Sequence, residues 1–121
     1  MAKLLIVDDS MIVRRTILRQ LETDGVTDIL EAANGRQALD LFERHLPDLV
    51  TMDITMPEVD GLECVSNMVR IAPDVRILVI SALADEETAI EAVERGANGY
   101  VCKPFTAVEL NAAFEELRGG L

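Results

Sequence analysis

The stretch LLIVDDS, residues 4–10, is the most informative in the chain. Four apolar residues run without a polar interruption and then give way to two aspartates. A strand with one wet face would alternate. An unbroken Leu/Ile/Val run suits a strand covered on both faces, the habit of parallel sheets flanked by helices. Working outward, residues 10–23 carry Val13, Ile17 and Leu21 at helical spacing, and Gly25 stops them. A weaker strand follows at 28–33, then a turn or cap at Asn34 and Gly35, then a helix at 36–46 ended by Pro47. Residues 49–52 read as a third strand ending in Asp53, and 54–61 as a loop by its Pro and Gly. A helix over 62–71 precedes Pro73. The very apolar strand 75–80 ends in Ser81, and the helix 85–95 is stopped by Gly96. The short strand 99–102 leads into Lys103 and Pro104. Thr106 and Glu109 form a capping-box pattern that opens a last helix to about residue 117.

Five strands thus alternate with five helices. Connections this short imply a parallel α/β sheet covered on both faces, with ligand chemistry at the carboxyl ends of the strands. The residues at those ends are Asp8 and Asp9 from strand 1, Asp53 from strand 3, Ser81 from strand 4 and Lys103 from strand 5. Three crowded carboxylates each favour protonation unless a cation is present. An all-oxygen donor set suits a hard ion such as Mg²⁺, with Mn²⁺ as the alternative, and Mg²⁺ commonly takes one or two carboxylates beside phosphate oxygens. Lys103 supplies a mobile point charge for a phosphoryl oxygen, and Ser81 a hydroxyl donor. A carboxylate can itself be the nucleophile in phosphoryl transfer, and Asp53, alone on strand 3 opposite the Asp8-Asp9 pair, is the candidate acceptor.

Composition narrows the class. A chain of 121 residues has the size of one domain and buries roughly two-thirds of its unfolded surface, so it needs no disulfide or structural metal to fold. The net charge of −11 argues against a nucleic-acid surface, which needs clustered Lys and Arg, and against an anionic membrane. The opening apolar run is too short for a signal peptide or a membrane span. Cys64 and Cys102 form no CxxC and each sits in an apolar stretch, which reads as two buried thiols in a reducing cytoplasm. His45, before Pro47, reads as a solvated residue with no partners in the carboxylate cluster.

Four motifs in order at four strand ends carry a family resemblance: DDS after strand 1, D-x-x-M-P-x-x-D-G over 53–61, Ser81-Ala82, and Lys103-Pro104-Phe105. Together they resemble the CheY-like receiver domain of two-component response regulators over essentially the whole chain, so 1–121 is expected to be a single receiver (response regulatory) domain. The resemblance implies a flavodoxin-like, doubly wound fold with strand order 2-1-3-4-5. CheY, a member of that family, is a standing example of the order, so the order comes with the resemblance and not from spacing. It further implies that Asp53 takes a phosphoryl group from a phosphohistidine of a sensor histidine kinase or histidine phosphotransfer protein. Asp9, Asp53 and the backbone carbonyl of Thr55 would bind Mg²⁺, with Asp8 acting through a metal-bound water. Lys103 would hold the phosphoryl group, its bond to Pro104 being cis. Ser81 and Tyr100 would couple phosphorylation to partner binding on the face of helix 4, strand 5 and helix 5. Such a chain is a signalling switch that catalyses only its own phosphorylation and dephosphorylation, as a monomer or a weak phosphorylation-dependent dimer.

The chain departs from the family pattern in places. Ser81 stands where threonine is commoner, and Thr55 and Leu83 occupy positions that tune phosphate lifetime. Helix 4 is acidic (Asp85, Glu86, Glu87, Glu91, Glu94), which lowers the case for flagellar-motor binding, and the last helix lacks the arginine typical of dimerising DNA-binding regulators. Taken singly, each site residue has a plainer reading. Asp8 and Asp9 could cap helix 1, Asp53 could be a turn residue, and Ser81 a cap. Lys103 could be a solvated lysine, Tyr100 an ordinary half-buried strand residue, and the helix 4 acids a solvated face. Their convergence outweighs these. The alternative class is a metal-dependent phosphatase or phosphotransferase with an aspartate nucleophile, but such enzymes place a D-x-D after strand 1, and here the aspartates are adjacent. A flavin module would need a hydroxyl-rich phosphate loop after strand 1, where DDSM offers negative charge instead. A receiver cut from a longer regulator is a second version of the leading reading, with Gly119 and Gly120 as the start of a linker.

Overall fold

The computed structural model describes residues 2–21, 25–55, 60–82 and 85–119. The elements run β1 (Ala2–Val7), α1 (Met11–Gln20), β2 (Val26–Ala32), α2 (Gly35–His45), β3 (Leu49–Met52), α3 (Gly61–Ile71), β4 (Arg76–Ser81), α4 (Glu86–Glu94), β5 (Gly99–Cys102) and α5 (Ala107–Arg118). All strands are parallel, in the order β2-β1-β3-β4-β5. The doubly wound, flavodoxin-like order expected from the resemblance is present.

The unbroken apolar run of β1 has the predicted cause. Leu4 and Ile6 enter a core with Ile17 and Leu21 of the α1 segment and Leu110, Phe114 and Leu117 of α5. Leu5 and Val7 enter the opposite core, with Phe42 of α2 and Val65 and Met68 of α3. Strand alternation therefore feeds two cores from one sequence run. All four residues are essentially inaccessible to solvent. On α4 the burial is inverted. Ala92 is its one buried residue, whereas Ile90 and Val93 are 49% and 57% exposed.

Side-chain caps fix where the helices begin. The Ser10, Asn34 and Asp85 side chains accept from the backbone N–H groups of Val13, Gln37 and Thr88. Thr106 and Glu109 form the full reciprocal capping box. Several boundaries differ from the sequence reading. α1 ends at Gln20, because Leu21 turns extended (φ −70°, ψ 138°) while its N–H still bonds Ile17; Thr23 lies outside the described residues. β2 begins at Val26, where Val26 pairs with Ala2. Val75 bonds back to Ala72 in a turn, so β4 starts at Arg76. Ser81 is its last paired residue, opposite Cys102. α2 closes on Leu46 in the left-handed region (φ 46°), which is strained for a side chain with a Cβ. The Lys103–Pro104 bond is cis, as the resemblance implies.

Cys64 is buried and Cys102 exposed, which corrects the expectation of two buried thiols. Cys102 ends the edge strand β5, where an apolar neighbourhood in sequence does not bring cover in space. Burial, with Asp60 and Glu63 nearby, pushes the Cys64 thiol up to about 11. His45 is exposed, as expected.

Candidate functional site

The β1 and β3 ends lie side by side, since Val7 pairs with Met52. Two further bonds extend the strands past their ends: Asp8 N–H to Ala32 and Asp53 N–H to Val7, at 3.1 and 2.9 Å. The backbone thereby delivers both aspartates to one edge. Asp8 and Asp53 are buried, at 1% and 2% exposure, and Asp9 is exposed. Ligand oxygens of Asp8, Asp9 and Asp53 all lie within 4.8 Å of one another.

Lys103 closes the cluster. Its Nζ donates to Asp8 Oδ2 at 2.8 Å and lies 3.6 Å from Asp53 Oδ2. Its backbone N–H bonds the Ser81 carbonyl at 2.8 Å, tying the lysine to the end of β4. Burial by itself would lower the ammonium's pKa. The hydrogen bond to Asp8 and the charges of Asp53 and Asp8 outweigh it, so Lys103 titrates above its ordinary range. One lysine faces three carboxylates, which leaves net negative charge at the edge.

The two oxygens of Asp53 are differently occupied. Oδ1 accepts from the Thr55 backbone N–H at 3.0 Å and from its hydroxyl at 2.8 Å. Oδ2 is the oxygen nearer the ammonium. On Asp8, Oδ1 accepts from the Ser10 N–H at 2.9 Å, a local turn that opens α1. Ser81 is buried and makes a side-chain hydrogen bond with Tyr100. The Tyr100 phenol titrates above its usual range because burial outweighs that bond. The fold thus joins every predicted site residue into two linked groups: the carboxylates with Lys103 and Thr55, and Ser81 with Tyr100. Met56, Pro57 and Leu83 lie outside the described residues.

Two features were not singled out in sequence. Gly61 packs so closely that a Cβ there would stand 2.4 Å from Ile54 Cα and 2.6 Å from the Asp53 carbonyl oxygen. The glycine of the D-x-x-M-P-x-x-D-G stretch is therefore a matter of space beside Asp53. Arg14 donates from Nη1 to the Asp8 carbonyl at 2.7 Å and from Nε to Glu31 at 3.0 Å. Its signal in sequence was weak, because an arginine on a helix usually reads as solvated.

The donor set fits a divalent cation. It is all oxygen, pre-gathered, and carries more negative charge than Lys103 offsets.

Comparison with known proteins shows the family. The family model for the response regulator receiver domain matches residues 4–115. The chain belongs to that family, a class of signalling domains. It is 41% identical over 105 residues to the chemotaxis protein CheY of Bacillus subtilis (strain 168), covering 87% of this chain and 88% of that protein. It is 38% identical over 103 residues to the chemotaxis protein CheY of Thermotoga maritima, covering 85% and 86%. A solved CheX–CheY–BeF3–Mg²⁺ complex from Borrelia burgdorferi gives a TM-score of 0.90 at 30% identity, covering 97% of this chain and 89% of that one.

Proposed function

We propose that the chain is a phosphoaspartate switch, one receiver domain over residues 1–121. Asp53 accepts a phosphoryl group from a phosphohistidine of a histidine kinase or histidine phosphotransfer protein. The observation that carries this reading is Lys103 Nζ set between the buried Asp8 and Asp53 carboxylates, with Asp9 beside them. A carboxylate oxygen of Asp53 attacks phosphorus, the P–N bond to the donor imidazole breaks, and the imidazole leaves with that bond's electrons. Lys103 exchanges its contact with Asp8 for the phosphoryl oxygens and stabilises charge on them. Asp9, Asp53 and the Thr55 carbonyl, with Asp8 through a water, would hold Mg²⁺, which would supply charge neutralisation there. Asp8, relieved of Lys103, keeps the Ser10 N–H.

Phosphorylation then draws the Ser81 hydroxyl to the phosphoryl group. Tyr100 loses that partner and its ring moves inward, which alters the α4-β5-α5 face where a downstream protein binds. The Borrelia relative is found with CheX in a BeF3 and Mg²⁺ complex, which supports a partner of this kind here. No helix among the described residues is long and apolar enough to cross a membrane. The chain works in the cytoplasm, beside its kinase, without direct contact to nucleic acid.

Incubation with radiolabelled acetyl phosphate and Mg²⁺ tests the proposal. Wild type should gain a hydroxylamine-sensitive label at one equivalent, and Asp53→Asn none. Undiminished labelling of Asp53→Asn removes the acceptor assignment. Many turnovers on a small phosphomonoester would instead favour a phosphatase.

A further inference from the structure

Asp9 is the exposed member of the carboxylate cluster, and it has no hydrogen-bond partner among the described residues. The point from which its carboxylate reaches, the Cα–Cβ bond, is set by the backbone, above all by the Asp8–Asp9 peptide plane. That plane is held at its oxygen. Arg14 Nη1 donates to the Asp8 carbonyl at 2.7 Å, a short charge-assisted bond. Arg14 can reach back because helical side chains tilt toward the helix N-terminus, and it sits at the fourth position of α1. The guanidinium is anchored in turn. Its Nε donates to Glu31 of β2 at 3.0 Å, and the side chain is only 13% exposed. Glu31 belongs to the strand that pairs with β1, with Ile6 opposite it. The path runs from the sheet through Glu31 and Arg14 to the peptide that aims Asp9.

We infer that Arg14 is a positioning residue for the divalent cation, acting through the Asp8–Asp9 peptide; this rests on the metal reading of the site proposed above. Simple electrostatics makes the opposite forecast. A cation beside an acidic cluster repels Mg²⁺, so its removal should tighten binding. Positioning requires that removal weaken it. Arg15 supplies the control. It pairs with the same Glu31 at 3.3 Å, is 62% exposed, and makes no hydrogen bond to Asp8. Lysine keeps the charge at position 14 but lacks the planar fork that spans two acceptors.

Isothermal titration calorimetry with MgCl₂ on the full chain separates the cases, with metal-free melting measured beside it. Arg14→Met should raise the Mg²⁺ dissociation constant on the order of tenfold, the usual effect of losing a residue that orients a ligand. Arg14→Lys should fail to restore it, and Arg15→Met should bind as wild type or slightly tighter. Should Arg14→Met not fold, Arg14→Lys alone carries the test. A lowered melting temperature with unchanged or tighter Mg²⁺ binding in the Arg14 variants means a purely structural role and overturns the inference. Equal weakening in Arg15→Met does the same. Wild type that binds no Mg²⁺ removes the metal reading of the site, and this inference with it.

Discussion

Gly61→Ala sets two effects of opposite sign against each other. Gly61 is the first residue of α3, where alanine should help the helix by up to about 1 kcal/mol. The added Cβ, however, would stand 2.4 Å from Ile54 Cα and 2.6 Å from the Asp53 oxygen, where ordinary contact begins at 3.4 Å. Both atoms are backbone, so no rotamer change relieves the clash. The chain on one side or the other must give by about 1 Å, and overpacking of this kind costs ~1–3 kcal/mol. The net expectation is a loss of about 1–2 kcal/mol. At roughly 2.1 cal/mol/K per residue, that lowers the melting temperature by about 4–8 °C for a chain of 121 residues. The larger consequence falls on Asp53, whose own carbonyl is in the collision. A misplacement near 1 Å costs about a hundredfold in rate. Melting followed by circular dichroism and labelling from acetyl phosphate at saturating Mg²⁺ read the two quantities. Gly119→Ala is the control, since its Cβ would meet nothing closer than 3.5 Å. A Gly61→Ala protein that melts above wild type and labels at its rate would refute the reasoning.

Mg²⁺ at a hundred times its dissociation constant should stabilise wild type by about 2.7 kcal/mol, or roughly 10 °C, and Asp53→Asn should lose most of that gain; calorimetric melting with Mg²⁺ and with chelator checks it, and equal curves for wild type would contradict the site. Stability should fall at alkaline pH for two reasons of the same sign. Cys64 rises from 9.0 to about 11 on folding, so the stability it allows is full below pH 9 and drops by ~3 kcal/mol as pH climbs to 11. Lys103 is also raised, so its ion pairs contribute fully below its unfolded pKa of 10.5 and are lost above it. Urea melts from pH 8 to 11 should show a shallower decline in Cys64→Ala, and an unchanged slope would contradict the burial of that thiol. A thiol reagent should modify Cys102 in the native protein within minutes and Cys64 only on unfolding; prompt reaction of both thiols would show that the core opens.

The sheet was legible because apolar runs such as 4–7 and 77–80 have one good explanation, burial on two faces. The carboxylate edge was legible for a related reason: parallel strands send all their carboxyl ends one way, so topology alone gathered Asp8, Asp53, Ser81 and Lys103. Features set by distance were less visible. The close approach of Gly61 joins residues separated by a loop, and sequence shows only that a glycine is there. Arg14 looks like any helix arginine until the tilt of its side chain and the place of Glu31 on β2 are known. Cys102 was misjudged because neighbours in sequence are not neighbours in space at the end of an edge strand. The end of α1 depended on the extended backbone of Leu21 and the start of β2 on its pairing with Ala2, which no periodicity encodes.

The inverted burial of α4 has a mechanical consequence. α5 is pinned by Leu110, Phe114 and Leu117, and lifting it would expose three large side chains at roughly 1.5–3 kcal/mol each. α4 fully buries only Ala92, a methyl worth about 0.8 kcal/mol. Ile90 and Val93 are already half exposed and lose correspondingly less cover when the helix shifts. Of these two helices, α4 is the softer bearing, held by less fully buried surface than α5.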